Sequence, residues 1–420
     1  MVGGYYSEDS YKPGRVEISN DSPQIQEFCG VERKGIGHPD TLSDHLAEHL
    51  SMVYSKHTLD KFGGILHHNF DKSGILGGKS KVEFGGGQMV SPIRVQINGR
   101  VSTSFGGLEI DFEELLTEAV HDFVKSRFGN LISDEMIDIT FNISAASSPG
   151  HAKGNTKRGS VRNRWFQPQS LEDLPERMNP FANDTSAGVS HAPFDAIEEF
   201  VLGLEKHITG DFKSKNPWVG TDVKIMGLRI RENAEVTLCI PQISRFVSSL
   251  EHYKENIATC YQMLAEYAAE HYNGDVRFSL NTRDDYERQE LYLTATGSSI
   301  ESGDEGLVGR GNRPNGIISL TNPMSMEGAS GKNPVYHIGK IYSAAANKLA
   351  HAVHEYFGTP NHVLLVSQSG RPLTDPWVTA VTTFSHVPPD LEELNNLVQT
   401  QLTDIPKLTD DFVRSGVRLA

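Results

Sequence analysis

The 420-residue sequence predicts an α+β fold. Short strand-like runs come in groups, over about residues 60–128, 136–208 and 221–271, and each group closes on a helical pattern of three to five turns. A further strand-rich unit begins near residue 284. Nothing repeats at a fixed short period, which argues against a solenoid or propeller. The length exceeds what one core usually supports, so two or three domains are expected.

Residues 1–24 are polar, with Pro13, Gly14 and Pro23, and read as an extension or strap rather than a domain. A helix is expected from near Thr41, because Leu42, Leu46, Leu50 and Val53 recur on one face. The next run mixes short strands, containing Leu66, Val95 and Ile97, with glycine turns. His67 and His68 are adjacent on a strand and so point to opposite faces; one buried and one exposed histidine is expected. FEELLTEAVHDFVKSRF, from Phe112 to Phe128, has the apolar side of an amphipathic helix.

After the strand MIDITFNISA comes ASSPGHAKGNTKRGSVRNRWFQPQ, with five basic and no acidic residues between Lys153 and Arg164. It reads as a mobile basic lid over a phosphate-rich ligand, with an RNA-binding arm the weaker alternative. Helices are expected over about residues 194–208, 251–272, 341–357 and 391–402, and strands in TDVKIMGLRI, AEVTLCIPQISRF, LYLTAT, HVLLVSQSG and VTAVTTF. A short polar tail closes the chain.

Composition narrows the function. A formal charge of -15 argues against general binding to nucleic acid or an anionic membrane. Three scattered cysteines, Cys29, Cys239 and Cys260, make neither a disulfide framework nor a zinc motif. No run of 18 apolar residues and no signal segment is present, so a cytoplasmic location is expected.

Candidate site residues concentrate in Asp284–Tyr342, a charged stretch that becomes rich in Gly, Asn and Ser. Asp304, Glu305, Arg310, Arg313, Lys332 and Lys340 lie within it. Acids mixed with bases suit a metal bridging a polyanion. His38 and Asp40 stand at a helix entrance, where free N–H groups favour an anion. Asp184 sits in a turn among small residues, while Asp222 and Lys224 read by pattern as a solvated pair. P-loop, Gly-x-Ser-x-Gly and His-Glu-x-x-His signatures are lacking. The residues point to a Mg²⁺-dependent enzyme acting on a nucleotide.

The blocks ERKGIGHPD, FGGILHHNFD, FGGGQMVSPI, ANDTSAGV, DVKIMGLR, DDYERQELYLTATG, GDEGLVGRGNRPNG and PMSMEGASGKNPVYHIGKIY resemble, in order, those of archaeal-type S-adenosylmethionine synthetases. The resemblance implies three similar α+β domains around a pseudo-threefold, interleaved in sequence: approximately 25–135, 136–270 with the basic insertion 147–167, and 271–420 with the phosphate-binding segment 284–342. It implies a homodimer or dimer of dimers with interfacial active sites.

The implied reaction joins the sulfur of L-methionine to C5′ of ATP, expels triphosphate and cleaves it to phosphate and pyrophosphate. Mg²⁺ is the implied cofactor, with K⁺ a second candidate ion. By the same resemblance His38, Lys224, Arg310 and Lys332 are catalytic. Asp184, Asp222, Asp304, Arg313 and Lys340 bind substrate or nucleotide, and Asp40 and Glu305 bind metal.

The chain departs from the family pattern in the segment 147–167, at Lys72, at Ser190-His191 and at Tyr336, where Asn is usual. These departures keep two alternatives open: a relative in specialised metabolism that expels triphosphate from C5′ of ATP with another or an intramolecular nucleophile, and a nucleotide-binding regulatory partner without turnover.

Overall fold

The computed structural model describes residues 13–23, 26–146 and 165–414. The basic lid expected over 147–167 lies outside the described residues, apart from Trp165, Phe166 and Gln167.

Three sheets share one plan. The first runs Ile137–Ser144, Ile93–Val101, Gly74–Leu76, Glu305–Leu307. The second runs Val276–Leu280, Asn233–Cys239, Lys224–Ile230, Phe28–Lys34, with Ile318–Ser319 beyond it. The third runs Arg15–Asp21, Val378–Phe384, Asn361–Val366, Ala187–Ala192. In each, an antiparallel pair occupies the middle, a parallel strand flanks one side, and an antiparallel strand from a distant part of the chain flanks the other.

The distant strand links one unit to the next. Phe28–Lys34 belongs to the second sheet, yet the following helix Pro39–Phe62 buries Leu42, Leu46 and Leu50 with Val95 and Ile97 of the first. Ala187–Ala192 of the third sheet leads to Ala196–His207, whose Ile197, Phe200 and Val201 pack in the core of the second. Glu305–Leu307 of the first sheet is followed, after a long loop, by Ile338–Phe357, which packs Ile341, Ala346 and Leu349 in the core of the third. The three units therefore hand strands and helices around a ring, a pseudo-threefold arrangement of α+β layers. Each fully buried Leu or Ile contributes roughly 1.5–3 kcal/mol to these cores.

Local chemistry sets the ends of the elements. The Asp195 carboxylate caps Ala196–His207 in a capping box with Glu198. Asp390 accepts from the amides of Glu392 and Glu393 at the start of Leu391–Thr403.

Several expectations change. Arg15–Asp21, read as part of a strap, is an edge strand parallel to Val378–Phe384. LYLTAT provides only the short strand Leu293–Thr294, because Asp284 and Glu301 take up neighbouring backbone amides in its place. The polar tail contains the helix Leu408–Arg414, anchored by buried Leu408, Phe412 and Val413. His67 and His68 do face different neighbours, but both are buried, at 3% and 1% exposure. The side of the pair on which His67 lies is covered by Trp165, Glu176 and Tyr336.

Candidate active site

The site is built at the entrance of Pro39–Phe62. Gly35 and Gly37 donate their amides to the carbonyls of Val223 and Thr221, at 2.6 and 2.9 Å, and Ser298 Oγ donates to the Gly37 carbonyl. The entrance loop is thereby nested against the start of the strand carrying Lys224. Gly306 closes from the other side: a Cβ there would lie 1.9 Å from the Pro39 carbonyl oxygen. This close approach needs glycine, and it sets Asp304 and Glu305 beside the helix N-terminus.

His38 is the N-cap. Its Nδ1 accepts from the Asp40 amide at 3.2 Å. Burial lowers its pKa to about 4, opposed by the nearby Asp40 carboxylate. The ring is therefore neutral near pH 7, with its proton on Nε2. Lys34, Lys224 and Asp304 also act electrostatically on this ring.

Asp40 is buried and doubly held: Oδ2 accepts from Lys34 Nζ at 2.8 Å and Oδ1 from the Leu307 amide at 3.1 Å. Lys34 and Lys224 are register partners on adjacent strands, and Glu32 lies 3.7 and 3.6 Å from their ammonium groups. Asp222 is buried, not solvated as its pattern suggested, and accepts from the Ser299 amide and hydroxyl. Burial raises its pKa to about 6, against these hydrogen bonds. Lys224 itself is 44% exposed.

One face of the helix carries a ladder of acids at four-residue spacing. After Asp40 comes Asp44, whose two oxygens accept from the amides of Gly309 and Gly311, at 2.7 and 3.0 Å. Arg313 Nη2 donates to the carbonyls of the same two glycines, at 2.7 and 2.6 Å. Lys34 Nζ donates to the Arg310 carbonyl at 2.7 Å. The backbone around Arg310 is thus clamped while its side chain stays exposed. Glu48, next on the ladder, accepts from the Gly331 amide and from Lys340 Nζ.

The expected site residues fall into two groups. His38, Asp40, Asp222, Lys224, Asp304 and Arg310 gather at the helix entrance, and Arg313 stands behind Arg310. Lys332 and Lys340 lie near Glu48, eight residues or about 12 Å further along the helix. Lys332 is buried, paired with Glu327 and 3.6 Å from Asp71. Lys340 is more deeply enclosed, between Glu48 and the Phe412 ring. Asp184 is exposed in a loop whose neighbour Asn183 accepts from the Ile338 amide, away from His38. Glu305 is exposed on its short strand.

A sequence profile of the family described as S-adenosylmethionine synthetase (AdoMet synthetase) matches residues 16–158 and 167–416. The chain belongs to this family. It is 38% identical over 400 residues to a probable S-adenosylmethionine synthase of Aquifex aeolicus, covering 93% of this chain and 95% of that one. It is 37% identical, with the same coverage, to an S-adenosylmethionine synthase of Haloarcula marismortui. Among solved structures, an unusual S-adenosylmethionine synthetase from Campylobacter jejuni matches with a TM-score of 0.55 at 13% identity, over 93% and 92% of the two chains. That likeness speaks to the fold.

Family blocks contain His38, Asp40, Lys224, Arg310 and Lys332, and also Glu32, Lys34, Asp71 and Glu327, to which sequence reasoning gave no part in holding them. Asp44 and Glu48 lie outside the blocks. The four-residue spacing of Asp40, Asp44 and Glu48 was the available signal, and it reads equally well as a solvated helix face.

Whether this site suits Mg²⁺ turns on its donors. Among the described residues no three His, Cys, Asp or Glu side chains converge as a metal cage. Mg²⁺ usually needs only one or two carboxylates, with substrate phosphates and water completing its shell. Asp40 fits that requirement: a carboxylate at a helix N-terminus, its charge already balanced by a lysine and flanked by further cations.

Proposed function

We propose that this protein is a methionine adenosyltransferase, transferring the 5′-adenosyl group of ATP to the sulfur of L-methionine. The observation that carries the proposal is the gathering of His38, Asp40, Lys224, Asp304 and Arg310 at one helix N-terminus in a chain of this family. Such an arrangement suits a departing polyphosphate far better than it suits acyl or hydride chemistry.

In the reaction a lone pair on the thioether sulfur forms the S–C5′ bond as the C5′–O bond breaks, giving a sulfonium and free triphosphate. No proton leaves the nucleophile, so no general base is needed. His38 Nε2–H is the donor to the leaving oxygen, and its neutral ring avoids a second charge that would have to be desolvated. Lys224 and Arg310 neutralise the triphosphate as it gains charge. Asp222 and Asp304 position the adenosyl and methionine side. Asp40 would hold Mg²⁺, which would supply charge screening to the phosphates. Water then attacks the triphosphate in the same cradle, and breaking the P–O bond gives phosphate and pyrophosphate.

Lys332 belongs to the same cradle through a homodimer, where one protomer's helix-entrance group meets its partner's Lys332 segment. Two features support this reading. The two groups lie apart within one chain, and the second sheet exposes an apolar face: Phe28 and Ile230, paired in register, are 48% and 51% exposed, and Leu320 is 52% exposed. Among the described residues no helix is long and apolar enough to cross a membrane, which is in keeping with work in the cytoplasm.

Mass spectrometry of a reaction of pure protein with ATP, Mg²⁺ and methionine tests the proposal. S-adenosylmethionine is the expected product. An adenosyl product of unchanged mass whether or not methionine is supplied would point to another acceptor.

A further inference from the structure

The His67 ring is buried at a junction that the reaction above does not use. Its Nδ1 is 2.7 Å from the Tyr336 hydroxyl, and its Nε2 is 2.9 Å from Glu176 Oε1. The Trp165 indole stacks on it, with centroids 4.9 Å apart and planes at 20°, and Phe166 lies 5.9 Å away. Glu176 and Phe166 are each 7% exposed, while Trp165 and Tyr336 are half-buried. His67 is thus held on both nitrogens, by a hydrogen bond shared with the Tyr336 hydroxyl and by close approach to the Glu176 carboxylate.

Two of the positions where this chain leaves the family pattern meet here. Trp165 ends the divergent segment, and Tyr336 replaces the usual Asn. Tyr336 lies four residues beyond Lys332, in a segment laid against residues 66–70. Asn69 and Lys332 form an antiparallel bridge, the Phe70 amide donates to the Gly331 carbonyl, and Asn333 Nδ2 donates to the Leu66 carbonyl. Ser51 Oγ donates to the Lys332 carbonyl. The backbone of Lys332 is thus fixed on one side by residues 66–70, and Tyr336 ties the far end of the same segment to His67. Ser102 fastens the other side, with its amide donating to the His67 carbonyl and its hydroxyl to the Trp165 carbonyl.

We infer that Tyr336, His67 and Glu176 form a clasp that positions Lys332 for triphosphate, and that Trp165, stacked on the His67 ring, is part of it. The three clasp residues are positioning residues, since none touches the reacting atoms. The clasp replaces whatever a shorter family segment and an Asn at position 336 would provide. The inference rests on the reading that Lys332 binds triphosphate.

The experiment uses full-length protein and inorganic triphosphate as the probe. Calorimetry of triphosphate with the unaltered protein tests the reading of Lys332 itself; absence of binding would overturn that reading and the clasp with it. Tyr336→Phe keeps the ring and removes the hydroxyl. It should weaken triphosphate binding and raise the KM for ATP about five- to tenfold, with kcat and the melting temperature nearly unchanged.

In protein carrying Trp218→Phe and Trp377→Phe, Trp165 is the remaining tryptophan. Its emission should change on triphosphate binding, and this change should be lost in Tyr336→Phe. Triphosphate binding that leaves Trp165 emission unchanged, or that is equally tight without the Tyr336 hydroxyl, would overturn the clasp while leaving the role of Lys332 intact. The emission measurement needs no clasp substitution, so it decides the matter even if Tyr336→Phe folds poorly.

Discussion

Lys34 Nζ sits 2.8 Å from Asp40 Oδ2, with both side chains about nine-tenths buried. The same ammonium holds the Arg310 carbonyl at 2.7 Å. One lysine therefore neutralises the proposed metal ligand and anchors the proposed triphosphate arginine. Lys34→Met would leave Asp40 buried and uncompensated, at a cost of about 3–5 kcal/mol. Millimolar Mg²⁺ should return part of that loss by supplying the missing charge. Thermal unfolding of the variant with and without Mg²⁺ checks this, and equal melting temperatures would remove Asp40 as the metal ligand.

Asp44 predicts a pH effect of definite sign. Burial raises its pKa from 3.8 to about 6 despite the two glycine amides. The folded chain therefore holds this proton more tightly than the unfolded one. Its contribution to stability is present below about pH 4 and is lost as pH rises to about 6, by roughly 3 kcal/mol for a shift of this size. Urea unfolding of the native protein and Asp44→Asn across this range should show the native protein losing ground relative to the variant. A difference independent of pH would mean that Asp44 titrates normally.

Gly306 and Gly303 separate crowding from backbone strain. A methyl group at 306 meets the Pro39 carbonyl at 1.9 Å, whereas at 303 it meets nothing within 4 Å, although φ there is +89°. Gly306→Ala should cost about 3 kcal/mol or more and displace Asp304 from His38. Gly303→Ala should cost only about 1 kcal/mol, from the left-handed backbone. Denaturant midpoints for the two variants provide the comparison.

Lys332→Ala should abolish triphosphate formation while leaving the fold intact, because Asp71 keeps its pair with Lys72 at 2.7 Å and Glu327 is 31% exposed. Rapid-quench analysis of ATP products with circular dichroism as the folding check tests this. Normal turnover in the variant would take Lys332 out of the mechanism.

Much of this was legible in the sequence where the signal is local. Phe112–Phe128 and Val378–Phe384 coincide with their patterns, because burial of one face dictates the period. His38 and Asp40 were legible as a helix entrance. Other contacts were not, because their cause is non-local. Asp44 is held by amides 265 and 267 positions away, and a carboxylate on a helix face looks solvated until those partners arrive. The exchange of strands among three sheets is likewise set by pairings that no short window contains. The pair His67-His68, expected to be half exposed, is buried on both sides for the same reason: strand alternation separates the two rings, but does not reveal the Trp165 and Tyr336 that cover His67.

The most direct test of the central claim is the stoichiometry of a single turnover with enzyme in excess of ATP. The account predicts that adenosyl transfer requires methionine, gives one S-adenosylmethionine per ATP consumed, and passes through enzyme-bound triphosphate before phosphate and pyrophosphate appear. ATP cleavage that proceeds equally well without methionine, or that yields ADP, would contradict it.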